Sequence, residues 1–315
     1  MKLKVSFVYL TFCSPLFCCL WDYDTLQMER NMFPGAHELI VGYFVRHSED
    51  YYRWRIEDRN KKGDQKTLTD YDDIAVAYDK LGQQDKAISI IKEKMEKWPD
   101  EGKYESHANL GTFLIHNGQF EEGLVHIEKA IEINPEAHFG REIYQKLLVE
   151  YFIESGYPQI ELPLYKGSSD QDFDTTDPVG FAKYIIQQRK PAKRGRLIEI
   201  QAATKGVMGM MRFGSHDSPV LLEALGDLLL SHNFVEDAKM LAARAYLMAS
   251  YKSKDENVSA IYEKKSKVII DEFQYNWTIE RIEKDLKKEV EQGQELLEEI
   301  TNYEQKWINE SKDLD

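Results

Sequence analysis

The sequence predicts an all-α protein, a solenoid of stacked helical hairpins ended by one long C-terminal helix. Three observations lead there. Proline and glycine are sparse, 9 and 18 among 315 residues, while 42% of the chain is hydrophobic and 30% charged. That composition suits helices around a real core and leaves almost no place for strand. A stretch of about thirty residues recurs along the chain, the signature of a repeat architecture. Near the C-terminus an apolar residue returns every three or four positions from Ile279 to Trp307, which draws one stripe down a long helix.

Taken in order, the chain opens with Lys2 and Lys4 and an apolar run from Val5 to Leu20, 16 residues interrupted by Thr11, Ser14 and Pro15. A bilayer-crossing helix needs about 20 predominantly apolar residues. A basic start before a short apolar core is the pattern of a secretory signal peptide, here residues 1–18, with a permanent span as the alternative. All three cysteines, Cys13, Cys18 and Cys19, lie in this leader, so no disulfide framework is available to the remainder. Leu16-Phe17-Cys18-Cys19 resembles the lipobox of bacterial lipoproteins, which implies Cys19 as the lipid attachment residue and the first residue of the mature chain. Cys18 departs from the Gly, Ala or Ser usual there. Leu20, where an aspartate is absent, resembles lipoproteins sent on to the outer membrane, so the expected location is the cell envelope, facing the periplasm.

Next come a weaker helical pair, AHELIVGYF and SEDYYRWRIEDRNKK, and then the clearest repetition. Residues 71–99 and 107–135 superpose at a constant spacing of 36, placing Ile74 on Leu110, Ala75 on Gly111, Gly82 on Gly118 and Pro99 on Pro135. Small residues at Ala75, Ala87, Gly111 and Gly123 allow two antiparallel helices to approach closely. Gly82 and Gly118 serve the turns, and the prolines stop the second helices. The pattern resembles the tetratricopeptide repeat (TPR), W-x2-L-G-x2-Y, then A-x3-F, then P. Tyr71, Ile74, Ala75, Tyr78, Ala87, Ile91 and Pro99 match in the first unit, and Leu110, Gly111, Ile127, Ala130 and Pro135 in the second. His107, Leu114 and Gly123 depart from it, and Lys94 takes an alanine position. Residues 221–250 make a third match through Leu222, Leu225, Gly226, Leu229, Ala238 and Ala245, with Asn233 for the turn glycine and Ser250 for the final proline. The resemblance implies a right-handed superhelix, since one unit cannot bury its own apolar face and neighbours must stack. The start, CLWDYDTL with RWRIEDR, also resembles little-characterised bacterial TPR lipoproteins.

The expected organisation is N-terminal repeats over 19–156, a loop or hinge at 157–180 rich in Gly, Ser, Asp and Pro, and TPR-like helices with a capping helix over 181–315. Ala202, Gly206 and Gly209 read as a close helix contact, because no strand precedes them and the G-x4-G-K-S/T spacing of a phosphate loop is absent. Ser218-Pro219 reads as a helix cap and first position. The terminal stripe, Ile279, Ile282, Leu286, Val290, Gly293, Leu297, Ile300, Tyr303 and Trp307, has a mean step of 3.5 residues. Gly293 in its middle favours a helix packed on the body over a dimerising coiled coil.

Function is read from charge and from the groove. Lys+Arg 41 against Asp+Glu 55 gives −14, a surface that repels phosphate backbones and makes nucleic acid a poor partner. His107, His116 and His126 lack the i, i+4 spacing of a helical metal pair. Ser215, His216 and Asp217 are consecutive, whereas triad side chains converge from separate parts of a fold. Paired carboxylates such as Glu121-Glu122 and Glu298-Glu299 read as solvated helix faces. No catalytic, cofactor or metal constellation is expected. In TPR proteins the first helices of the repeats line a concave face, and the resemblance places there Asp72, Val76, Asp79 and Lys80, then Glu105, Ala108, Thr112, Ile115 and His116, then Val220, Glu223, Asp227, Leu230 and Ser231. Chaperone-binding TPR domains hold a terminal carboxylate with Lys and Asn; acidic residues here imply a neutral or basic protein or peptide. The expected function is an exported scaffold, with an envelope enzyme sited in 157–217 or a dimeric spacer as the alternatives.

Overall fold

The computed structural model describes residues 35–157, 161–165, 178–232, 236–272 and 278–312. The leader and Cys19 lie outside the described residues, as do Asn233 and most of the expected hinge. The described residues fall within one compact unit. They form thirteen α-helices and no strand: α1 (Ala36–Val41), α2 (Glu49–Lys61), α3 (Leu68–Lys80), α4 (Gln84–Lys97), α5 (Lys103–His116), α6 (Phe120–Ile133), α7 (Arg141–Glu154), α8 (Gly180–Arg189), α9 (Arg196–Phe213), α10 (Pro219–Leu230), α11 (Glu236–Lys252), α12 (Glu256–Asp271) and α13 (Ile279–Lys312).

Local chemistry starts and stops these helices. Thr67 and Asp70 form a reciprocal capping box at the start of α3, which satisfies two otherwise orphaned backbone donors. Asp255 accepts from the backbone N–H groups of Asn257 and Val258 at the start of α12. Pro219 opens α10 at its first position, where a missing N–H costs nothing; Ser218 stands at the N-cap but makes no side-chain cap bond. The α3/α4 and α5/α6 turns pass through Gly82 and Gly118 at φ 71° and 77°. Helices α4 and α6 end at Lys97 and Ile133, two residues before Pro99 and Pro135.

Packing proceeds from neighbour to neighbour, α2 on α3, α3 on α4, and so on to α7. Ala75, Ala87, Ile91, Leu110 and Leu114 are fully buried or nearly so at these interfaces. In the α5/α6 hairpin the two backbones nearly touch: a Cβ added to Gly111 would stand 2.9 Å from the Gly123 carbonyl oxygen, and one added to Gly123 would stand 2.9 Å from that of Gly111. Glycine at 123, a departure from the repeat pattern, therefore completes a glycine-on-glycine contact.

The described helices on either side of the segment expected as a hinge pack on one another. Helix α7 packs on α9, with Gly206 against the Tyr144 ring, and α8 is inserted between them in sequence to contact α7, α9 and α10. The small residues of α9 thus make the close helix contact expected of them. From α9 the stack continues through α10, α11 and α12.

The long helix α13, 34 residues, returns to the beginning and packs on α1 and α2 as well as on α11 and α12. Gly293 is the reason it fits. A Cβ there would overlap the Val41 carbonyl oxygen and lie 2.9 Å from the Gly42 carbonyl carbon. Glu289 joins His37 (3.2 Å) to Arg244 (3.0 Å). Glu304 is buried and accepts from the Ser48 N–H at 2.9 Å while pairing with His47 Nδ1 at 2.6 Å. One expectation needs correction. Tyr303 is 73% exposed, and Trp307, 39% exposed, packs edge-on against Trp54 of α2 with ring centroids 4.5 Å apart, whereas Glu304 and Ile308 face inward. A straight helix drifts by about 20° per heptad against a 3.5-residue stripe. Over four heptads the inward position therefore advances by nearly one residue.

Candidate functional site

The expected groove residues divide into two regions with different fates. Around α3 and α5, Asp72 receives Lys94 Nζ at 2.6 Å and Asn109 Nδ2 at 3.1 Å. Lys94 has no exposed surface. The lysine in an alanine position is thus a buried cation whose counterion is Asp72, which removes Asp72 from the set available to a ligand. Burial raises the Asp72 carboxyl above its usual range, opposed by Lys94. Asp79 chelates His116 Nδ1 with both oxygens, at 2.9 and 3.1 Å. Lys80 crosses the groove to donate to the carbonyls of Phe213 and, at 3.0 Å, Gly214. Its ammonium is lowered by burial and partly restored by Asp79. Thr112 donates to Ala108 O and accepts from Gln145 Nε2 at 3.1 Å. Val76 and Ile115 are half-buried and Glu105 is exposed.

Between these helices and the turn after α9 lies a polar cleft of about 340 Å³, lined by Asp79, Lys80, Gln84, His116, Gly214 and Ser215. Gln84, Gly214 and Ser215 were not anticipated. Phe213 is held there by Arg141, whose guanidinium lies 5.4 Å from its ring centroid. No local pattern announces a turn that meets Lys80, 134 residues before Gly214 in the chain.

At α10 the expected groove is filled, so Glu223 and Asp227 are not the open ligand contacts foreseen. They are 1% and 0% exposed. Glu223 Oε2 accepts from the Leu164 N–H (2.9 Å) and the Tyr262 hydroxyl (2.7 Å). Its Oε1 accepts from the Tyr165 N–H (3.0 Å) and from Lys265 Nζ (3.1 Å). Asp227 accepts from the Phe181 N–H (2.8 Å) and the Tyr246 hydroxyl (2.6 Å). The backbone of Gly180, at φ 46°, passes so close that any Cβ would overlap the Asp227 carboxylate. Burial pushes the Asp227 carboxyl up to about 7, with Lys265 opposing and Glu223 adding to the rise.

His107 and His126 meet Nδ1 to Nδ1 at 2.9 Å. Burial, and then the neighbouring positive charges, lower both, His126 to about 4, so the pair is neutral near pH 7. His216 Nδ1 contacts Leu39 O at 3.2 Å, while Asp217 pairs with Lys252 at 2.9 Å, and the side chains diverge. Among the described residues no group of three or more His, Cys, Asp or Glu is placed to hold a metal ion. No helix among them is long and apolar enough to cross a membrane.

The family described as tetratricopeptide repeat matches residues 104–136, which is the α5/α6 hairpin with its close glycine contact. Residues 104–136 of the chain are thus a tetratricopeptide repeat. No curated protein and no solved structure matches the chain. Repeats of this kind commonly bind protein partners, which suggests a protein–protein interaction scaffold. Its open polar cleft lies on α3 and α5, the first helices of the two best-formed hairpins.

Proposed function

We propose that this TPR protein is an exported, lipid-anchored scaffold that holds a neutral or basic segment of another protein at the cell envelope. The docking place is the cleft between α3, α5 and the turn after α9. One observation carries the reading: on α3, the first helix of its hairpin, Asp79 borders an open volume, while its neighbour Lys80 is turned to backbone carbonyls. Such a field favours cationic segments and is screened over about 8 Å at physiological ionic strength. The lipobox-like stretch ending at Cys19 supports the anchor, and more than one acyl chain is needed for stable membrane attachment.

Two experiments test the parts separately. Cys19→Ser should release the protein from membranes and abolish fatty-acid labelling; full retention of the serine variant rejects the anchor. Baits made from the wild type, from Asp79→Lys with Glu105→Lys, and from Glu291→Lys with Glu295→Lys should differ in what they retain. A partner kept by the first and third baits and lost by the second supports the cleft. Equal retention by all three rejects it.

A further inference from the structure

The third hairpin holds a receptor and its ligand in a single chain. The receptor belongs entirely to α10, α11 and α12. Glu223 takes the Tyr262 hydroxyl and the Lys265 ammonium, and Lys265 Nζ lies 5.1 and 5.7 Å from the ring centroids of Tyr246 and Tyr262. The ligand is a short non-helical segment outside the repeats, residues 161–165. It presents two consecutive backbone N–H groups, those of Leu164 and Tyr165, one to each oxygen of Glu223. Pro163 is buried, and the Tyr165 ring lies 5.4 Å from the same ammonium. These contacts read a bent main chain, a proline and one aromatic face.

The receptor is also complete without its ligand. If residues 161–165 lift away, Glu223 keeps Tyr262 and Lys265 as donors, so no buried charge is stranded, which is the usual barrier to opening such a site. Asp227 is anchored separately, through Phe181 and Tyr246, and α8 can stay in place.

We infer that this groove is a peptide-binding site filled in cis by residues 161–165, and that it takes in trans a bent proline-aliphatic-aromatic segment of a partner protein. The site is distinct from the Asp79 cleft, so either assignment can fail alone. The test uses a labelled, end-blocked peptide copying Glu161–Tyr165, titrated by fluorescence anisotropy into the full chain, into Leu164→Pro/Tyr165→Ala, and into that variant carrying Glu223→Gln as well. Proline removes the first amide donor and alanine removes the ring. The peptide should bind the double variant at least tenfold more tightly than the wild type, and Glu223→Gln should reverse that gain. Equal affinity for wild type and double variant, no binding to either, or indifference to Glu223→Gln overturns the inference. If the double variant does not fold, amide exchange in the unaltered chain decides. Leu164 and Tyr165 should exchange at least tenfold faster than the core amides of α10; exchange only in step with α10 means the segment never leaves, and the site is not a binding site.

Discussion

Helix α3 and helix α10 both carry acidic residues on the groove side of their hairpins, and Asp79 on one and Glu223 and Asp227 on the other end in opposite situations. Asp79 on α3 borders an open cleft with a histidine about one-third exposed as its partner. Glu223 and Asp227 on α10 are sealed beneath residues 161–165 and the start of α8. The difference does not lie in the helices themselves. It lies in what the chain delivers to the far side of the groove: a short turn after α9 in one case, an inserted segment in the other. A repeat position therefore specifies which way a side chain points, while the insertions specify whether that direction is solvent.

The largest effect should come from stranding the buried cation. Glu223→Ala leaves Lys265 without its carboxylate and should cost about 3–5 kcal/mol, the range for breaking one partner of a buried pair. Glu105→Ala on the open side should stay within about 0.5 kcal/mol. Urea titration of both variants measures the contrast, and similar midpoints would erase the distinction between the two regions.

Gly111→Leu comes next. A large side chain forced against the Gly123 carbonyl and Ile127 should destabilise by about 1–3 kcal/mol or more. An unchanged denaturation midpoint would mean that α5 and α6 do not approach as described.

Asp227 gives a smaller effect with a defined sign. Its carboxyl is raised to about 7 by burial, among Glu223, Lys265 and Tyr246, against about 3.9 in an unfolded chain. The folded state therefore holds a proton that the unfolded state has released. That contribution to stability is full below about pH 4 and is lost as pH rises through 7. His126 and His216, both lowered to about 4 chiefly by burial, act oppositely, removing stability as pH falls below about 6.5. Comparison with Asp227→Asn cancels the histidine contribution. The melting temperature of the asparagine variant should gain on that of the wild type from pH 5 to about pH 7 and level off above it; a constant gap would place Asp227 in contact with water.

The smallest expected change is at His116. Its pair with Asp79 is about one-third exposed on the histidine side, and exposed pairs contribute from nothing to about 1 kcal/mol. His116→Gln should leave the melting curve nearly unmoved while altering partner binding in the cleft. A large loss of stability would make His116 a structural residue of the repeat.

Much of the fold was legible in the sequence because its determinants are local. The 36-residue spacing, the turn glycines and the two prolines set α3 to α6, and the third match located α10 and α11. Gly293 pointed to a helix closed on the body, although the stripe drawn through Tyr303 and Trp307 missed the helical drift that turns Glu304 and Ile308 inward. Lys94 stood out as a breach of pattern, but its partner Asp72 was counted as a groove residue, since a lysine does not announce its counterion. The filled groove was illegible for a stronger reason. The donors to Glu223 and Asp227 are residues 164, 165, 181, 246, 262 and 265, and half of those contacts use backbone N–H groups, which every residue but proline possesses.

Carbodiimide labelling of carboxylates in the native chain, read by peptide mass spectrometry, tests the contrast between the regions most directly. Glu105 should be modified within the first minutes, Asp79 more slowly behind His116, and Glu223 and Asp227 only after urea unfolds the protein. Modification of Glu223 at the rate of Glu105 in the folded chain would contradict the account, because the groove of the third repeat would then stand open like that of the first two.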